Sequence, residues 1–125
     1  MPSPILLAAR RWQVLLLGGA SGVGKSSISY RLAHHFGVGL TEVDDFQVLL
    51  ATMTTPEQQP ALHFWQTHPA PETLTPEAIM TQGLDIGRVM SVGLEAVIAN
   101  HLEAGTPVVL EGDFIHPDLA TRDSY

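Results

Sequence analysis

A glycine-rich turn around one lysine, directly after a short apolar run, is the feature that most constrains this fold. Residues 13–17 read QVLLL, and GGASGVGKS (18–26) follows with Lys25, which is the only lysine of the chain. A continuous apolar run is typical of a strand that is buried on both faces. Beyond Lys25, apolar side chains recur at helical spacing up to Gly37, a common helix stop. The sequence therefore predicts a strand over 13–17, a tight turn and then a helix.

The turn itself predicts a phosphate-binding loop. Residues 19–26 match the pattern G-x-x-x-x-G-K-[ST] at every fixed position. Glycines let the main chain curl so that successive N–H groups point at phosphate oxygens, and the following helix directs its positive end at the same place. We expect Lys25 to bind the β- and γ-phosphates of a nucleotide and the Ser26 hydroxyl to bind Mg²⁺. The predicted nucleotide-binding residues are Gly19, Ala20, Ser21, Gly22, Val23, Gly24, Lys25, Ser26 and Ser27.

The rest of the chain alternates between strand-like and helix-like segments. A second strand is predicted over 39–46 (GLTEVDDF), then a helix to residue 53, an irregular excursion over 54–76 with one turn near 61–65, and a long helix from Thr75-Pro76 to about 103. Its glycines leave a kink near 83–87 open. A third buried strand is predicted over 107–114 (PVVLEGDF). Such alternation predicts the α/β class, with a parallel sheet and helices on its faces.

Acidic residues come at the ends of the second and third predicted strands. Asp44 and Asp45 end the second strand, and Glu111 and Asp113 end the third. Ligands gather at the carboxyl edge of a parallel sheet, and a carboxylate there can organise Mg²⁺ or water. We expect Glu111 or Asp113 to do so. The alternatives are that the aspartate pair caps a helix starting at residue 46, and that Glu111 is a solvated strand end.

Composition narrows the choice of partners. The net charge is −7, from 13 acidic and 6 basic residues, so there is no basic surface for nucleic acid or for an anionic membrane. The chain has no cysteine, which excludes disulfides and thiolate metal sites, and no apolar stretch long enough to span a membrane. We expect a cytoplasmic protein that binds neither nucleic acid nor membranes.

Three motifs taken together resemble a known group of enzymes. The segments LLGGASGVGKSSIS, VDDF and VVLEGDFIHP are similar to the small P-loop kinases related to 2-phosphoglycerate kinase, and more distantly to chloramphenicol phosphotransferase and zeta-toxin-like kinases. The resemblance implies a three-layer α/β/α P-loop NTPase fold of the nucleoside-kinase type over residues 1–125. It implies ATP and Mg²⁺, with a small-molecule hydroxyl as phosphoryl acceptor. By position it makes Asp44 the general base, with Asp45 as second choice, and matches Glu111-Gly112 to the "EG" of these kinases.

The same resemblance predicts what the chain lacks. These kinases have five parallel strands, a lid and a loop around adenine, so we expect a domain truncated to about three strands. Residues 54–76 occupy the place of the acceptor-binding lobe, although a small satellite core beneath a long loop is the simpler interpretation. The flank of strand one that pairs with a fourth strand in these kinases would be uncovered, which favours self-association.

Two other functions stay open at this stage. One is a regulatory protein that binds and hydrolyses a nucleoside triphosphate; a GTPase switch would have D-x-x-G after the third strand, where this chain has EGDFIHP. The other is a nucleotide-binding fragment without turnover. The acceptor, the choice between ATP and GTP, and which of Glu111 and Asp113 organises Mg²⁺ are not decided by the sequence.

Overall fold

The computed structural model describes residues 9–20, 22–68 and 73–125. Three strands, β1 (Val14–Gly18), β2 (Gly39–Glu42) and β3 (Val108–Gly112), form a parallel sheet in the order β1-β3-β2. Helices α1 (Lys25–Phe36), α2 (Val43–Met53), α3 (Phe64–Thr67) and α4 (Pro76–Ala104) alternate with them, and 3₁₀ turns cover Ala61–His63 and Pro117–Thr121. The predicted α/β class with a parallel sheet is confirmed.

Helix α1 follows the predicted boundaries. It begins at Lys25, directly after the glycine turn, and ends at Phe36, followed by the C-cap Gly37 in the left-handed conformation at φ 66°. The Gly37 N–H bonds the carbonyl of His34, and the Val38 N–H bonds that of Ala33, so the last carbonyls of the helix are satisfied. The turn therefore delivers the chain straight into a helix whose N-terminus faces the end of β1.

The second strand is shorter than the sequence predicted. It ends at Glu42, and the two aspartates of the VDDF motif lie in the first turn of α2 instead of ending a strand. The helix starts early because Val43, only 1% exposed, packs into the core beside Gly112, and because carboxylates are favourable near the N–H groups of a first helical turn. Glu42 occupies the N-cap position without a side-chain cap bond, so the interpretation of the aspartates as N-caps is wrong.

Helix α4 runs without interruption past its three glycines to Ala104. The Thr75 hydroxyl accepts a hydrogen bond from the Ala78 N–H at 3.1 Å, and Pro76 takes the first helical position. No break occurs at residues 83–87 because a continuous buried stripe, formed by Ile86, Met90, Leu94 and Ile98, fixes the helix to the sheet. Gly87 has a packing reason: the His116 ring lies where a side chain would be.

The core lies between one face of the sheet and helices α2 and α4. Val108 and Leu110 of β3 join Val43 and the α4 stripe in it. Residues that alternate with them along β3 point to the opposite face, where Asp113 contacts Lys25 of α1. β1 and β2 are the outer strands in the described part of the chain, so the flank of β1 facing away from β3 carries no strand there. In the same part of the chain, no helix combines the length and the hydropathy needed to span a membrane.

Candidate functional site

The glycine turn between β1 and α1 uses backbone conformations that favour glycine at three positions. Gly19, Gly22 and Gly24 have φ angles of 142°, 82° and 90°, in the region that favours glycine. Gly24 is the N-cap of α1 and supplies no side-chain cap bond. The first N–H groups of a helix have no partner inside it, so those of α1 are open to an anion at this turn. Ser21 lies outside the described residues.

Lys25 lies against the turn and is almost fully buried. Its Nζ donates hydrogen bonds to the Ala20 carbonyl at 2.6 Å and to Asp113 Oδ1 at 2.8 Å. The side chain of Lys25 is 7% exposed and that of Asp113 is 27% exposed. A buried ammonium group needs such partners, because burial of an unpaired charge costs free energy. The pair therefore keeps one cation at the mouth of the glycine turn.

Asp44 extends this contact to α2. Its Oδ1 accepts a hydrogen bond from the Asp113 main-chain N–H at 3.1 Å. Burial raises the pKa of Asp44 above its ordinary value, and the charge of Asp113 adds to the rise, while the Asp113 N–H and Lys25 oppose it. A carboxylate with a raised pKa is better suited to accept a proton near neutral pH than one exposed to water.

Glu111 lies in the middle of the sheet, beneath α1. It stands in register with Leu17 of β1 and Glu42 of β2, and it is 5% exposed. Burial raises the pKa of Glu111, with further rises from the charges of Asp44 and Glu42 and an opposing effect of Lys25. Of the two acids at the end of β3, Asp113 is thus the one in ion-pair contact with the lysine.

Asp45 does not join this group. Its side chain is exposed, and with Tyr30, Glu42 and Phe46 it lines a small cavity of about 320 Å³ on the outer side of β2. The structure thus brings together Lys25, Asp44, Glu111 and Asp113 from the sequence-predicted set and leaves Asp45 at the periphery.

Two residues at this edge of the sheet, Glu42 and Tyr30, were missed by the sequence reasoning. Glu42 is the neighbour of Glu111, and it accepts a hydrogen bond from the Tyr30 hydroxyl at 2.9 Å. Gly112 is required because an added Cβ would lie 2.9 Å from Val43 Cβ and 3.0 Å from Asp44 Oδ1. The acid at the end of the GLTE strand was a usable signal for Glu42, whereas Tyr30 follows only from the packing of α1.

A cavity of about 670 Å³ opens beside the turn. It is bounded by Gly19, Asp113 and His116 on the sheet side and by Met80 and Leu84 of α4. The excursion borders a separate cavity of about 510 Å³, against the Gln82 to Val89 stretch of α4. Neither cavity alone identifies an acceptor.

The histidines of the excursion have structural partners. His63 is buried and bonds the Thr54 hydroxyl and the Gln66 side chain, each at 3.1 Å. His68 stacks on Phe64 with ring centroids 4.2 Å apart. These contacts fit the interpretation of the segment as a small satellite core.

The residues of this edge fit a magnesium nucleotide. In the described ranges, no group of three or more histidine, aspartate or glutamate side chains is arranged to hold a metal by itself. Mg²⁺ is usually held by one or two protein oxygens together with phosphate oxygens and water, so it does not need such a group. Ser26 is exposed at the start of α1, and the Lys25 ammonium lies beside the turn.

Comparison with known proteins gives a consistent picture. The chain is 28% identical over 116 residues to a 2-phosphoglycerate kinase of Methanothermobacter thermautotrophicus, covering 88% of this chain and 38% of that protein. It is 30% identical over 108 residues to a 2-phosphoglycerate kinase of Pyrococcus horikoshii, covering 83% of this chain and 36% of the relative. The similarity to 2-phosphoglycerate kinases that the motifs predicted is confirmed. The chain spans little more than a third of these relatives. No protein-family model and no solved structure matches it.

Proposed function

We propose that residues 1–125 are the nucleotide-binding part of an ATP-dependent kinase with a P-loop NTPase fold, which transfers a phosphoryl group to the hydroxyl of a small molecule. The observation that carries the proposal is the buried Lys25 ammonium, held between the Ala20 carbonyl of the glycine turn and Asp113. The similarity to 2-phosphoglycerate kinases supports the same reaction class.

The chain's own residues supply binding and charge balance. The N–H groups of the glycine turn and of the first turn of α1 bind the phosphates. Lys25 exchanges a carbonyl for phosphate oxygens and stabilises the charge on the transferred group. The residues that bind nucleotide are those of the turn, Gly19 through Ser27. Bound MgATP supplies the phosphoryl group and a metal ion that neutralises its oxygens.

Asp44 is the proposed general base. One of its oxygens bonds the Asp113 N–H, which leaves the other for the acceptor hydroxyl. The raised pKa of this half-buried carboxyl favours proton acceptance as the new oxygen–phosphorus bond forms and the γ-phosphorus separates from the β–γ bridging oxygen. Asp45, exposed one residue further on, is the second choice as base.

A magnesium ion would be held by the Ser26 hydroxyl directly and by Glu111 or Asp113 through water. Glu111 is buried next to another acid, Glu42, and it is not in ion-pair contact with Lys25. These surroundings favour a bound cation near Glu111. Asp113 already neutralises Lys25. We therefore expect Glu111 to contribute more to magnesium binding than Asp113.

The test is incubation with MgATP and a panel of hydroxyl acceptors, with 2-phosphoglycerate first because it is the substrate in the relatives' name. A phosphorylated acceptor supports the kinase. Release of inorganic phosphate with every acceptor unchanged favours a hydrolysing switch, and nucleotide binding without either reaction makes the chain a binding fragment.

A second experiment tests the nucleotide site alone. Lys25 and the terminal α-amino group are the only amines of the chain, so an amine-acylating reagent followed by peptide mass spectrometry reports on one lysine. MgATP is expected to protect Lys25 and leave the α-amino group reactive. Equal acylation of Lys25 with and without MgATP contradicts the proposed site.

A further inference from the structure

One line of contacts joins three segments that are distant in the sequence. Asp44 Oδ1 accepts from the Asp113 N–H at 3.1 Å, and Asp113 Oδ1 accepts from Lys25 Nζ at 2.8 Å. The same Nζ donates to the Ala20 carbonyl at 2.6 Å. The first turn of α2 is thereby connected, through the end of β3, to the lysine of the glycine turn.

The first of these contacts lies where the sheet ladder stops. β3 ends at Gly112; its register with β1 ends there and its register with β2 ends at Glu111, so the N–H of Asp113 is beyond the strand pairing. Asp44 supplies the acceptor that a neighbouring strand would otherwise give. The hydrogen bond to the Asp113 N–H restrains the main chain of this residue. It therefore also restrains the Cα that carries the Asp113 carboxylate.

The docking of α2 on the end of β3 is tight enough to hold that contact. Val43 is 1% exposed, and an added Cβ on Gly112 would approach Val43 Cβ to 2.9 Å and Asp44 Oδ1 to 3.0 Å. Only glycine leaves room for the helix at this distance. The position of Asp44 in α2 is therefore set by the packing of Val43. It does not depend on a long, flexible side chain.

We infer that Asp44 is a positioning residue for Lys25: by accepting the Asp113 N–H, it holds the Asp113 carboxylate against the lysine ammonium. This role deepens the proposed function, on which it rests for its importance in catalysis. It differs from the general-base role because it requires a hydrogen-bond acceptor at Oδ1 and no proton transfer. An asparagine at position 44 would satisfy the positioning role and fail as a base.

The unique lysine allows a test without nucleotide or activity. The acylation rate of Lys25 at one fixed pH is measured in the wild type and in the variants Asp44→Ala, Asp44→Asn, Asp45→Ala and Asp113→Asn. Asp45→Ala is the matched control, because it removes an exposed aspartate from the same helical turn. Circular dichroism verifies that each variant is folded.

Loss of a hydrogen bond that holds a charged partner is expected to raise the acylation rate about fivefold in Asp44→Ala, and at least as much in Asp113→Asn. Asp44→Asn and Asp45→Ala should stay within about twofold of the wild type. An Asp44→Ala rate equal to that of the wild type overturns the inference. A rate in Asp44→Asn as high as in Asp44→Ala also overturns it, because the effect would then come from charge and not from the hydrogen bond.

A measurement on the wild type covers the case in which Asp44→Ala does not fold. In amide hydrogen exchange, the Asp113 N–H should be protected although it lies past the end of β3, and Asp44→Asn should retain that protection. Exchange of this amide at the rate of an unprotected one contradicts the inference. Failure of the proposed function would look different: MgATP would not protect Lys25, while the effects of the Asp44 variants would remain.

Discussion

Two acids at the end of β3, Glu111 in the strand and Asp113 directly after it, have different electrostatic surroundings. Asp113 is 27% exposed and has the Lys25 ammonium 2.8 Å away. Glu111 is 5% exposed and has the acid Glu42 as its neighbour across the sheet. Asp113 forms an ion pair with Lys25, whereas Glu111 forms none within the part of the chain that the structure describes, and Lys25 offsets only part of the rise in its pKa.

This difference indicates that the two acids of the LEGD segment, Glu111 and Asp113, have different tasks. A compensated carboxylate stabilises the fold and holds its partner in place, whereas a buried carboxylate without a cation opposes folding whenever it is ionised. Departures from good burial of charge are expected mainly at functional sites. We therefore interpret Asp113 as the residue that holds Lys25 in place. We interpret Glu111 as the residue that would bind a cation.

Removal of Lys25 should have the largest effect. Without Lys25, Asp113 loses its ion-pair partner and resembles Glu111 in this respect. We expect Lys25→Met to weaken MgATP binding by about 10- to 100-fold, the equivalent of one charge-assisted hydrogen bond. Calorimetric titration measures the change. Arg31→Met, which removes an exposed cation from α1, is the control and should bind MgATP like the wild type. Equal weakening in both variants would mean that only general charge matters.

A methyl group between the two acids should disturb the site next most strongly. Gly112→Ala places a Cβ 2.9 Å from Val43 Cβ and 3.0 Å from Asp44 Oδ1, so α2 must shift. Overpacking of this kind lowers the free energy of unfolding by about 1–3 kcal/mol. Urea unfolding measures it. The control is Gly93→Ala on α4, where an added Cβ meets nothing within 4 Å and a helix interior favours alanine, so the variant should be at least as stable as the wild type.

Neutralising each acid in turn should change stability in opposite directions. At pH 8, Asp113→Asn leaves Lys25 without its ion partner and should lower the free energy of unfolding by about 1–3 kcal/mol, less than for a fully buried pair because Asp113 is partly exposed. Glu111→Gln removes an uncompensated charge and should raise it. A loss of stability in both variants would show that Glu111 has a favourable partner in the folded protein.

The local parts of this site could be predicted from the sequence, and the parts that depend on register could not. The glycine turn, the start of α1 at Lys25 and the Thr75–Pro76 start of α4 follow from residue types whose effects reach only a few positions. The neighbours of Glu111 depend on which residue of β2 pairs with it, and nothing in GLTEVDDF specifies that pairing.

The predicted boundary between β2 and α2 was wrong for a related reason. The order apolar, acidic, acidic, apolar at residues 43–46 allows either a strand or the first turn of a helix. The choice is made by Val43, which packs beside Gly112, a contact between residues far apart in the chain. As a result the aspartates were expected together at a strand end, whereas in the structure Asp44 bonds Asp113 and Asp45 is exposed.

The pH dependence of the free energy of unfolding should also distinguish Glu111 from Asp113, although the effect is smaller. The folded protein holds the Glu111 proton more tightly than the unfolded chain does, since burial raises the pKa of Glu111 in the folded state. The contribution of Glu111 is therefore most favourable below the ordinary pKa of a glutamate and is lost as the pH rises through the raised value. The stability gain of Glu111→Gln should thus be near zero at pH 4 and grow toward pH 8. A gain that is constant with pH contradicts this assignment.

The smallest effect is expected at Glu42, the acid beside Glu111. The hydrogen bond from the Tyr30 hydroxyl to Glu42 is the main cause that raises the pKa of the Tyr30 phenol, and the Glu42 charge adds to it. Glu42→Gln should bring the pKa of Tyr30 back toward its ordinary value, followed by ring NMR shifts in a Tyr125→Phe background so that only one tyrosine titrates. Because Glu42 also raises the pKa of Glu111, the same variant should reduce, without abolishing, the pH dependence that Glu111→Gln removes. An unchanged dependence in Glu42→Gln would contradict the assigned effect of the Glu42 charge on the pKa of Glu111.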